Sequence, residues 1–157
     1  YAFVPQKPYL PRGTLKDTLL YPDNGAAVPD TDIVKAMERC GLGYLGKRLN
    51  DEDDWDRVLS GGERQRIAFC RLLIQKPPII IMDEATAALD EGSQDSLLSL
   101  FEDELAGSTV ISVGHRPGLE RFHERKITLV RRPAGARVHS TPIRKSLWRL
   151  LAGREAA

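Results

Sequence analysis

Residues 77–84 constrain the fold of this chain more than any others: Pro77-Pro78-Ile79-Ile80-Ile81-Met82-Asp83-Glu84. The prolines stop any preceding helix, because proline lacks the amide hydrogen and its ring clashes with the turn before it. Four apolar residues in a row then suit a strand buried on both faces, as in the middle of a parallel sheet. The run is far short of the about 20 apolar residues of a membrane span. Two carboxylates follow at the strand's C-terminal end, where ligands of open α/β sheets bind. The first could hold Mg²⁺ through hard oxygen donors. The second could orient or deprotonate a water attacking a phosphate. A strand end followed by a helix-capping acid fits the same letters, and on these residues alone both readings stay open.

The rest of the chain supplies further strands and helices. Residues 1–4 read as a short strand stopped by Pro5, and 7–13 as a loop by their Pro and Gly content. Thr14 can cap a short helix through Leu20, broken at 21–25. A second helix is expected over 32–40, ended by Gly41. Residues 41–58 read as a loop, with a solvated acidic run at 51–56. Ser60 and Glu63 fit a capping box that opens a strong helix to about Gln75. Asp90 or Ser93 opens another helix, carried by Leu97, Leu98, Leu100, Phe101 and Leu105 and ended by Gly107. Buried strands are expected at 108–113 and 126–130, and a last helix over 143–151. Strands alternating with helices predict an α/β fold with a parallel sheet.

Hydrophobic residues make up 41% and charged residues 29%, which suits a globular chain and excludes a disordered one. The net charge of +1 hides an asymmetry. Residues 1–115 hold 12 Lys+Arg against 19 Asp+Glu, and residues 116–157 hold 11 against 3. A basic tail could meet nucleic acid or anionic lipid. The expectation is a solvated surface, with no nucleic-acid partner. Cys40 and Cys70 lack metal-ligand spacing and read as reduced, buried thiols of a cytosolic protein. The chain begins without Met or a leader pattern, on a strand-like run, and is expected to be a piece of a longer fold.

A second constellation is Leu59-Ser60-Gly61-Gly62-Glu63-Arg64-Gln65-Arg66. Locally it is a capped helix start. Two adjacent glycines there weaken a helix for no evident packing gain. They would let a phosphate approach the amides of the helix N-terminus, where the dipole favours an anion, and Ser60 would add a hydroxyl donor.

With these residues in view, the chain resembles the ABC ATPases. Leu59-Ser60-Gly61-Gly62-Glu63 is similar to their signature motif, and residues 79–84 to their Walker B strand with its catalytic glutamate. Ala85-Thr86-Ala87-Ala88-Leu89-Asp90 resembles the D-loop, Gly114-His115-Arg116 the switch-histidine loop, and Val4-Pro5-Gln6 the Q-loop. All stand in the family's order. The resemblance implies a partial P-loop NTPase fold: an α/β domain whose parallel sheet lacks the Walker A strand, with the helical ABC subdomain. The helical subdomain would cover about 14–62, the Walker B to switch-histidine core about 77–131, and a C-terminal tail 132–157.

The resemblance also implies roles. Glu84 would be the general base or water-positioning group, and His115 would contact the γ-phosphate of ATP. Asp83 and Gln6 would help hold Mg²⁺. Ser60, Gly61, Gly62 and Glu63 would bind ATP held by the opposite subunit, and Asp90 would act across that interface. The implied protein is an ATP-hydrolysing transporter domain on the cytoplasmic face of a membrane, the bacterial inner membrane for preference. Its partners would be a transmembrane domain fused upstream and a second ATPase domain in a homodimer. Residues 8–17, Trp55-Asp56-Arg57-Val58 and residues 112–117 are similar to exporter-type proteins, in particular the peroxisomal fatty-acyl-CoA half-transporters and related bacterial permease–ATPase fusions. A soluble ABC ATPase of DNA repair or translation is the alternative, which the exporter-like stretch disfavours.

One motif of that family has no match. The nearest string to G-x-x-x-x-G-K-[ST] is Gly41-Leu42-Gly43-Tyr44-Leu45-Gly46-Lys47-Arg48. It ends in Arg rather than a hydroxyl residue and follows a helix, so a loop in the helical subdomain is expected there. Without the phosphate loop, residues 1–157 alone are expected to show negligible ATPase activity, and the strand at 108–113 to have an open edge.

Overall fold

A computed structural model describes residues 1–22, 27–116, 118–133 and 135–143. The chain divides into two compact units, Tyr1–His115 and Arg116–Ala157. The expected core at 77–131 spans that division.

The first unit is built on a parallel sheet of three strands. β1 (Ala2–Val4) and β5 (Thr109–Val113) flank β4 (Ile79–Asp83). The register places Val4 beside Met82 and Asp83 beside Val113, so the strand ends lie together. β4 is central, as its apolar run predicts. Burial on both faces is not what forms, however: Ile80 and Met82 are buried, while Ile79 is 44% exposed. Phe3, Ile111 and Val113 are exposed as well, against the expectation of a buried strand at 108–113. A strand's side chains alternate between faces, and only one face of this sheet is covered among the described residues.

Most of the helices lie between β1 and β4. A two-residue ladder joins β2 (Gly13–Thr14) to β3 (Glu52–Asp53). α1 (Leu15–Leu20) starts at Thr14, whose hydroxyl accepts from the Asp17 N–H, as the sequence suggests. α2 (Asp30–Arg39) and a 3₁₀ helix (Gly43–Arg48) follow, so the string resembling a phosphate loop forms helical turns. α3 (Trp55–Val58) precedes α4 (Gly61–Gln75), which packs against α1 and α2. Ile67, Phe69, Cys70 and Leu72 of α4 are buried, with Leu15, Leu19, Ile33 and Met37 from its neighbours. Each such Leu, Ile, Phe or Met side chain contributes about 1.5–3 kcal/mol on burial. The acidic run is tied down: Arg48 pairs with Asp51 and Asp53, and Arg64 with Asp56. Both cysteines are free and buried, as expected. α5 (Glu91–Leu98) begins at Asp90 and leads through a 3₁₀ turn (Ser99–Phe101) toward β5.

The second unit corrects the expectation at 126–130. β6 (Arg125–Arg132) pairs antiparallel with β7 (Gly135–Pro142), and the three-stranded sheet does not include it. The hairpin is exposed: Ile127 is 63% and Leu129 70% accessible. β7 pairs one edge of β6, and the exposed hairpin leaves the groups of the other edge to water. The expected helix at 143–151 lies outside the described residues except for Ile143.

Candidate functional site

The acid pair sits where the sheet ends. Asp83 closes β4 and is exposed. Glu84 follows with φ 50, a left-handed conformation uncommon for a side chain with a Cβ. Two backbone bonds hold it there: its N–H donates to the Val113 carbonyl at 2.9 Å, and its carbonyl accepts from the Ala87 N–H at 3.0 Å. Strain of this kind costs about 1–3 kcal/mol and collects at functional sites. His115 Nε2 lies 3.7 Å from Glu84 Oε1, beyond a hydrogen bond but within electrostatic reach. The His115 side chain is 92% exposed and that of Glu84 25%. Gln6 follows β1, the neighbour of β4, and is exposed too. Asp83 and Gln6 thus offer hard oxygen donors from adjacent strand ends. That set suits Mg²⁺, which takes one or two protein oxygens and completes its shell with water and phosphate. Among the described residues no three His, Cys, Asp or Glu side chains form a closed metal cage.

The glycine turn lies at the start of α4. Ser60 is the N-cap: its Oγ accepts from the Glu63 N–H at 3.3 Å, and Glu63 Oε2 accepts from the Ser60 N–H at 2.7 Å. The first bond uses an oxygen lone pair, not the hydroxyl proton. Glu63 also accepts from the Tyr44 hydroxyl. The bonds from Ser60 and Tyr44 hold the Glu63 carboxyl below its usual range. Burial and the same carboxylate push the Tyr44 hydroxyl up to about 12.

The glycines do have a packing role, contrary to the expectation from sequence. A Cβ on Gly62 would lie 3.2 Å from the Ala88 carbonyl oxygen, and one on Gly61 3.3 Å from the Ala88 Cβ. The helix start therefore presses on residues 88–89. The missing side chains make room for that packing.

Asp90 caps α5, accepting from the Ser93 N–H at 2.9 Å and the Ser93 hydroxyl at 2.7 Å, which lowers its pKa. Arg66 joins this group: it donates to Ser93 Oγ at 2.6 Å and to the Cys40 carbonyl at 3.3 Å. Gly41 has φ +73, and a Cβ there would run into the Arg66 guanidinium. Ser60, Gly62, Glu63, Tyr44, Arg66 and Asp90 line an open cleft of about 260 Å³.

The structure thus brings the expected residues into two groups. Gln6, Asp83, Glu84 and His115 gather at the strand ends, and Ser60, Gly62 and Glu63 with Asp90 at the cleft, while Gly61 lies against the Ala88 side chain. Sequence reasoning missed Tyr44, Arg66 and Gln65. Gln65 is buried and donates to the carbonyls of Gln6 and Glu84 while accepting from the Ala88 N–H. No local pattern marks such contacts, because each partner is distant in sequence.

Comparison with known proteins now decides the family. Residues 1–87, more than half of the chain, match the family described as ABC transporter. The chain belongs to the ABC transporter family. An uncharacterized ABC transporter ATP-binding protein of Haemophilus influenzae is 44% identical over 127 residues, covering 81% of this chain and 22% of that protein. The lysosomal cobalamin transporter ABCD4 of Mus musculus is 42% identical over 132 residues, 77% of this chain and 21% of its own length. The structure of a bacterial Atm1-family ABC exporter with ATP bound matches with TM-score 0.72 and 27% identity, over 99% of this chain and 28% of that one. This ABC transporter chain therefore spans about a fifth of the length of these curated relatives.

Proposed function

We propose that these residues are part of the ATP-binding and ATP-hydrolysing domain of an exporter-type ABC transporter. The observation that carries this is the gathering of Gln6, Asp83, Glu84 and His115 at one end of the parallel sheet. Phosphoryl transfer demands little covalent chemistry from a protein; it demands placed charges and an in-line water. Asp83 and Gln6 would hold Mg²⁺, which when bound neutralises charge on the phosphate oxygens. Glu84 accepts a proton from the attacking water or orients it. Its left-handed backbone fixes the carboxylate relative to β4 and β5. His115, exposed beside Glu84, donates to the γ-phosphate. Ser60, Gly61 and Gly62 bind that same phosphate from a second copy, through helix N-terminal amides and the Ser60 hydroxyl proton. Glu63 keeps that turn in shape, and Asp90 works across the shared interface.

A site completed by a second copy requires a symmetric dimer. The remaining partner is a transmembrane domain, and the ATPase lies at the cytoplasmic face of a membrane, the bacterial inner membrane by preference. The test is steady-state ATPase activity of the complete polypeptide that carries these residues. Glu84→Gln should lower kcat about a hundredfold or more while nucleotide binding persists. Unchanged turnover in that variant, or a wild-type protein that never hydrolyses ATP, would reject the assignment.

A further inference from the structure

Gln65 is only 2% exposed, in the second turn of a helix whose start carries the glycine turn. A buried amide left without partners costs about 1–3 kcal/mol per unmet group, so what surrounds it is informative. Its Oε1 accepts from the Ala88 N–H at 2.9 Å. Its Nε2 donates to the Gln6 carbonyl at 3.0 Å and, over a longer 3.4 Å, to the Glu84 carbonyl. The amide can face only one way: an N–H needs its oxygen, and two carbonyls need its protons.

We propose that Gln65 is a positioning residue for ATP hydrolysis, its buried amide locking the backbone at Gln6, Glu84 and Ala88 to the helix that carries Ser60–Gly62. The proposal rests on the function given above. The peptide after Glu84 anchors a residue at φ 50, so its carbonyl direction sets where the Glu84 carboxylate lies. Ala88, bonded to Gln65 through its N–H, is also the residue whose carbonyl lies under Gly62. One side chain thereby relates the phosphate-binding turn to the acid and to Gln6, and a shift of the helix is transmitted to both.

The test uses the complete polypeptide with Gln65→Ala and Gln65→Glu. Turnover is normalised to the amount of nucleotide bound, so that loss of folded protein does not register as loss of rate. Both variants should lose at least about tenfold in kcat per bound nucleotide, with KM for ATP within about threefold of wild type. Gln65→Glu should do no better than Gln65→Ala, since its carboxyl keeps the Ala88 bond but offers at most one proton, where the amide offers two, to the two carbonyls. A normalised kcat within about twofold of wild type in either variant would overturn the proposal. So would failure of both variants to fold and bind nucleotide, which would make Gln65 a residue of stability. A wild-type protein without ATPase activity would instead reject the functional assignment, leaving the two failures distinguishable.

Discussion

Glu63 shows how one side chain serves shape and chemistry together. Its carboxylate closes the capping box with Ser60 and receives the Tyr44 hydroxyl, and those bonds hold its pKa low. A carboxyl whose folded pKa lies below its unfolded value leaves the unfolded chain binding more protons. Its stabilisation is therefore complete above the unfolded pKa and is lost as pH falls through the folded one. Because the group is only half-buried, solvent screening limits the effect to about 0.3–1 kcal/mol. Glu63→Gln should be less stable than wild type by that amount in urea titrations at neutral pH, and the gap should narrow as the pH is lowered through and below the usual carboxylate range. A gap independent of pH would mean that shape, not charge, carries the contribution. The capping box was legible because Ser60 and Glu63 lie three apart. The Tyr44 contact was not, since it joins a 3₁₀ turn to a helix start 19 residues away.

α4 was the most readable element. It has a box at one end and Pro77-Pro78 at the other, with an apolar stripe between. Its last feature required the structure: the C-cap Lys76 lies at φ 45, ψ 56, with its N–H donating to the Leu72 carbonyl. The proline after it disfavours the helical region for Lys76, and the chain escapes through the left-handed one. Glycine has no Cβ to strain there. Lys76→Gly should raise stability by about 0.5–1 kcal/mol, read as an upward shift of the urea midpoint with an unchanged slope. A lower midpoint would count against strain at this cap. β7 was harder to foresee than α4 because Gly135-Ala136-Arg137-Val138-His139-Ser140 alternates only weakly, and its partner β6 supplies the pairing that composition does not announce. The glycine pair was misjudged for a related reason. Its packing partner, Ala88, lies across the fold.

At the scale of the molecule, the sheet has one face that buries Val4, Ile80 and Met82 and one that shows Phe3, Ile79, Ile111 and Val113. β5 pairs with β4 on one side only among the described strands. An apolar face next to an open edge invites pairing with another chain. Residues 1–157 purified alone should self-associate, with sedimentation velocity showing species larger than monomer that increase with concentration. A single monomeric boundary across the range would refute this. The parallel order of the sheet was legible in the alternation of strands and helices, and its central strand in the isoleucine run. The open face was not, because an apolar residue signals a wish for burial without saying what will bury it.

The hydrogen bond that the Glu84 N–H donates to the Val113 carbonyl has a bearing on biosynthesis. The ribosome delivers residue 84 well before residue 113, and β1 pairs with a strand made much later. Such long-range pairings are slow to form. The corner carrying the acid is thus completed only once Thr109–Val113 has left the exit tunnel, and until then the nascent chain presents an apolar strand in need of a neighbour.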